Sequence, residues 1–73
     1  MTRDDVIQRA RAATEAEGWP WREPIQVQRV RQGLVAGRVT WHVMTNAAYR
    51  GGNVNIWIDD QSGAVVKQGF APR

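Results

Sequence analysis

The chain has 73 residues, no cysteine and a formal net charge of +3, which sets the size at one domain and removes disulfides and thiolate zinc sites from consideration. A chain this short buries only about 60% of the surface its unfolded form exposes, so stability has to come from a small core or from self-association. Nine of the ten basic residues are Arg, Lys67 being the exception, but seven acidic residues are interspersed and no two basic residues are adjacent. That is a weak electrostatic footprint for a nucleic-acid binder, and a base composition that favours Arg codons is the simplest source of the arginine excess.

Thr2, followed three residues later by Asp5, predicts a helix start. The hydroxyl can accept from an early backbone amide, and Asp4 and Asp5 suit the positive end of the helix dipole. Residues 3–17 contain no Gly or Pro. Val6, Ile7, Ala10, Ala13 and Thr14 recur on one side at helical spacing, opposite a solvated side bearing Asp5, Gln8, Arg9, Arg11, Ala12 and Glu15. Gly18 is placed to end the helix in a left-handed conformation, and Pro20 prevents resumption. The apolar stripe is narrow, so this helix needs a sheet to lie on.

Residues 18–24 read as a linker. Its Trp19 and Trp21 either fold back to close the end of the core or form an exposed strip; closure is the reading for Trp19, and Trp21 stays open. Residues 25–31 are a first strand in which Ile25 and Val27 are in phase and Val30 is out of phase, which predicts a bulge or an edge strand. Arg29, Arg31 and Gln32 would resist edge-to-edge pairing, and Gly33 begins a turn. A second strand over residues 35–46 places Val39, Trp41 and Val43 on one face and Arg38, Thr40, His42 and Met44 on the other. A loop with paired glycines leads to a third strand over 53–59, with Val54, Ile56 and Ile58 on the apolar face and Asn53, Asn55 and Trp57 on the polar one. Asp59 to Gly63 have turn chemistry, and a fourth strand follows over 64–70. The fold class is α+β: one N-terminal helix packed on a three- to four-stranded antiparallel meander sheet, as a single domain over residues 1–73.

Trp41 and Val43 on one strand, Val54, Ile56, Ile58 and Asp59 on the next, then Ser62, Gly63 and Val65, after an N-terminal helix, resemble the PepSY domain. The resemblance spans residues 4–70. It implies a helix on an antiparallel sheet and a non-catalytic module of the kind found in metallopeptidase propeptides and bacterial envelope proteins, where roles in peptidase inhibition or protein interaction have been proposed. Within these 73 residues there is no peptidase, leader or membrane helix of the sort common in that family, so the resemblance carries the fold further than it carries peptidase regulation. It brings no catalytic residues.

The residues themselves point away from catalysis. His42 is the only His, so no His/His or Cys/His metal site can form, and no Ser has a partner base in sight. Asp59 and Asp60 are adjacent at a strand end and point to opposite faces, which suits a turn better than a shared proton or ion. No metal, cofactor or catalytic group is expected. The set that stands out is the outward hairpin face: Arg38, Thr40, His42, Met44, Asn55 and Trp57. If Val43 lies opposite Ile56, then His42 lies opposite Trp57, leaving an aromatic on the face the helix does not cover. An exposed Trp beside Arg, His and Met is what a contact surface contains; alternatively the linker or tail covers it, or cross-strand neighbours do. The expected function is a small bacterial, non-enzymatic interaction module that binds a protein partner or itself through this face. The alternative is single-stranded nucleic acid, with bases stacking on Trp57 and Arg29, Arg31 and Arg38 meeting phosphates. No signal peptide or membrane-length apolar run is present, so a complete chain would be cytoplasmic.

Overall fold

The computed structural model of the protein describes residues 1–31 and 39–72. One helix, α1 (Arg3–Ala16), precedes four strands, β1 (Gln26–Arg31), β2 (Val39–Met44), β3 (Asn53–Asp59) and β4 (Val65–Ala71). The strands form one antiparallel sheet in the order β1-β2-β3-β4, an open meander with β1 and β4 at its edges. The expected α+β architecture is therefore the observed one. The turn expected at Gly33, the start of the second strand over 35–38, Gln32 and Arg38 lie outside the described residues.

The helix begins where its capping residues require. The Asp5 amide donates to Thr2 Oγ1 at 3.1 Å, and the Thr2 amide donates to Asp5 Oδ2 at 3.0 Å, so each residue satisfies an otherwise orphaned backbone donor of the other. At the far end Gly18 takes φ +73°, with its amide on Glu15 O and the Trp19 amide on Thr14 O, the paired bonds of a Schellman termination. Val6, Ala10 and Thr14 are buried. The Thr14 hydroxyl is satisfied by donating to Ala10 O at 2.7 Å, which removes the cost of burying it.

Val6 and Ala10 meet Val43, Val54, Ile56 and Ile58 in a fully buried core, with Ala13, Trp19, Trp21, Ile25, Val27, Trp41 and Phe70 packed around it. Both linker indoles thus close the core. Trp19 stacks on Phe70 at 6.1 Å, and Arg11 lies over Trp21 at 5.9 Å. With buried Val or Ile side chains contributing about 1.5–3 kcal/mol each, this single cluster is the main reason the domain folds.

β1 is an edge strand with unbroken register, so of the two expectations for it the edge holds and the bulge does not. Val30 is out of phase because it faces Thr40 on the far side of the sheet. Arg29 takes the helix-side position instead, with its guanidinium over the Trp41 ring at 5.3 Å. The irregularity lies elsewhere: the β3–β4 register shifts between Trp57 and Ile58.

Candidate functional site: the uncovered sheet face

Register decides what the uncovered face presents. Gln28 pairs with His42, His42 with Trp57 and Trp57 with Lys67, so these four residues form a row across all four strands. Gln26, Met44, Asn55 and Gly69 form the neighbouring row. Within the first row the His42 imidazole stacks on the Trp57 indole, centroids 4.5 Å apart and planes 7° from parallel, while Lys67 Nζ sits 5.0 Å from the same ring's centre. The two strands beside β3 thereby flank the indole with a ring and a cation. His42 Nε2 lies 2.8 Å from Asn55 Oδ1. With the Asn55 amide oxygen as acceptor, Nε2 is the ring nitrogen that donates in this pair, which ties the imidazole to the neighbouring row.

Of the six residues read from the sequence as a contact surface, His42, Met44, Asn55 and Trp57 are partly exposed on this face. Thr40 shares the face but is fully buried, so it has no surface to offer a partner and drops out. Its Oγ1 has no hydrogen-bond partner among the described residues. Arg38 lies outside the described residues. Arg29 and Arg31 pair with Trp41 and Val39 and so project from the helix side, away from Trp57.

Two residues join the site that the sequence reading did not include. Lys67 completes the row, and Gly69 makes the groove beside it. A side chain at Gly69 would enter open space; its absence leaves a hollow of about 230 Å³ lined by Asn55, Trp57, Lys67, Gln68, Gly69, Phe70 and Ala71. The signal was available: a Gly inside a strand often marks a close approach by another group. The hollow is smaller than the roughly 300–1,000 Å³ typical of cofactor and small-molecule sites. It suits one or two inserted side chains.

The other residues weighed for chemistry are occupied structurally. Asp59 Oδ2 accepts from the Ser62 amide at 2.9 Å and the Ser62 hydroxyl at 2.8 Å, and Ser62 Oγ accepts from the Ala64 amide. Asp60 Oδ1 accepts from Trp41 Nε1 at 2.7 Å and lies 3.7 Å from the amino terminus. The adjacent carboxylates serve a turn and a core indole separately. Among the described residues no group of three or more His, Cys, Asp or Glu side chains could hold a metal ion, and no helix is long and apolar enough to cross a membrane. In comparisons with known proteins, no family model, no curated protein and no solved structure matches the chain.

Proposed function

We propose that this chain is a non-enzymatic, PepSY-like interaction module that binds a protein partner through the uncovered sheet face. The observation that carries the reading is the Trp57 row beside the Gly69 hollow. An indole held by His42 and Lys67 has little rotamer freedom left to lose on binding, and such rigid aromatics beside a pocket are where binding energy concentrates. The hollow accepts a side chain, and Lys67 and Asn55 supply a cation and an amide at its rim. A partner segment with an apolar side chain next to an acidic one fits this chemistry.

The nucleic-acid alternative is less well supported by the same geometry. Both faces of the Trp57 ring are already occupied, so a base could stack only by displacing Lys67, and Arg29 and Arg31 lie on the opposite face of the sheet. A peptide library selected on the immobilised protein, followed by titration of the enriched peptides, tests the reading. Binding lost at least tenfold in Trp57→Ala supports it. Failure to enrich any peptide, together with oligo(dT) binding that weakens steeply with salt, would replace it with the nucleic-acid reading.

A further inference from the structure

We infer that the outer edge of β1 accepts an acidic strand: an extended partner segment pairs antiparallel with Val27, Arg29 and Arg31 and sets a carboxylate opposite each arginine.

The ladder fixes which peptide groups of β1 point outward. The Thr45 amide donates to Val54 O at 3.0 Å, and the Asp60 amide donates to Val39 O at 3.0 Å. Each bond continues the β2–β3 register by one pair, so Val39, Trp41 and Val43 aim their peptide groups at β3. Peptide groups alternate in direction along an antiparallel strand. Thr40, His42 and Met44 therefore aim at β1, where they face Val30, Gln28 and Gln26. That leaves Val27, Arg29 and Arg31 with three amides and three carbonyls directed away from the sheet. The β1–β2 register is unbroken, and no strand lies beyond β1 among the described residues. Such a row is a template for an added strand.

Charge names the occupant. Val27, Arg29 and Arg31 lie opposite Val43, Trp41 and Val39, so their side chains share the helix side. Arg29 and Arg31 are exposed, and neither has an ion pair among the described residues. Asp60, beside Val39 on the same face, is taken up by Trp41 Nε1 and the amino terminus. Arg29, Arg31 and Val39 line a hollow of about 150 Å³, which leaves room for carboxylate side chains beside the guanidinium groups. Two uncompensated cations two residues apart on one face call for two carboxylates at the same spacing.

A strand antiparallel to β1 supplies them in the order acidic-x-acidic-x-apolar, opposite Arg31, Arg29 and Val27 in turn. Arginine suits this role because its planar guanidinium meets a carboxylate through two parallel hydrogen bonds. A second copy of β1 does not fit. Antiparallel registers centred on Arg29 or Val30 set arginine directly against arginine, and like charges placed so are destabilising.

The test uses the whole chain, isotopically labelled, and a capped heptapeptide with Glu at its second and fourth positions, Val at its sixth and Thr elsewhere. Saturable shifts at Val27, Arg29 and Arg31 are expected below about 1 mM peptide. Exchange of those three amides should slow, while Gln26, Gln28 and Val30, already paired with β2, should not change. Replacing both Glu by Gln is expected to weaken binding about tenfold or more. Arg31→Glu, at an exposed position, is expected to do the same, and a peptide with Lys at its second position to restore binding. Trp57→Ala is expected to leave the affinity unchanged, which keeps this inference separable from the proposed partner site. No saturation by about 1 mM, equal affinity for the Gln peptide, or rescue by Lys at the fourth position instead overturns the inference. So does binding without protection of the three edge amides, which would leave only a salt-sensitive arginine contact of the kind oligo(dT) can also make. Should Arg31→Glu unfold, the Gln peptide and the amide exchange of the wild type decide.

Discussion

The imidazole of His42 and the indole of Trp57 lie face to face on neighbouring strands, 4.5 Å apart and 7° from parallel. This cross-strand pair holds an aromatic upright on the one sheet face that the helix does not cover. Because Trp57 is only partly buried, Trp57→Ala is expected to cost about 1–2 kcal/mol, less than the about 3–5 kcal/mol of a fully buried ring. Denaturant unfolding of both proteins checks this: a shifted midpoint with an unchanged slope is expected, and so is a far-UV spectrum that retains the fold.

The helix cap makes a pH prediction. Hydrogen bonds from Thr2, its backbone amide first, hold the Asp5 carboxyl below the ordinary aspartate range, against a smaller opposing effect of burial. A carboxyl whose folded pKa is depressed contributes stability that is present above its unfolded pKa, about 3.9, and is lost as pH falls through the folded value. Asp5→Asn is therefore expected to flatten the acid limb of the stability curve while changing it less near neutrality. Thr2→Ala, which removes the reciprocal acceptor, is expected to cost about 1 kcal/mol at neutral pH. Thermal melts from pH 2 to 7 read both.

Gly63 ends the β3–β4 turn at φ +71°, and a Cβ there would come within 2.7 Å of the Arg9 guanidinium. Arg9 Nη1 also donates to Gly63 O at 3.3 Å, tying the turn to the helix. Gly63→Ala is expected to lose about 1–2 kcal/mol from left-handed backbone strain. Most of that loss should persist in an Arg9→Ala background, since a flexible guanidinium can move aside. A double-mutant cycle in urea separates the two contributions.

Asn53 is the internal staple of the β2–β3 loop. Its Nδ2 donates to the carbonyls of Thr45, Asn46 and Tyr49 at 2.8, 2.9 and 3.3 Å from a buried position. Asn53→Ala is expected to cost about 2–3 kcal/mol, because it strands buried acceptors. Asn53→Asp should cost more still, since it sets a carboxylate against three carbonyl oxygens. Comparative thermal unfolding checks the order.

Much of the architecture was legible because alternation and helical spacing were both clean. Val43 opposite Ile56, and hence His42 opposite Trp57, follows from pairing the apolar faces. The cap at Thr2, the stop at Gly18 and the Asp59–Ser62 turn are local and carry their chemistry in a few residues. What was not legible depends on partners distant in sequence. Thr40 has the alternation of a surface residue, yet it is buried. Asn53 alternates with the exposed face, but its amide is spent on the loop. Lys67 and Gly69 belong to the site only through the β3–β4 register, in a strand whose bulge obscures the phase.

The most direct test of the partner surface follows the four tryptophan indole N–H signals while a selected peptide is titrated into isotopically labelled protein. The Trp57 indole and the Asn55 and Gly69 amides are expected to shift together and saturate, while the Trp19 and Trp21 indoles, packed against the core, stay in place. Saturable shifts confined to Arg29, Arg31 and Val39 at the β1 edge, with Trp57 unmoved, would contradict that expectation.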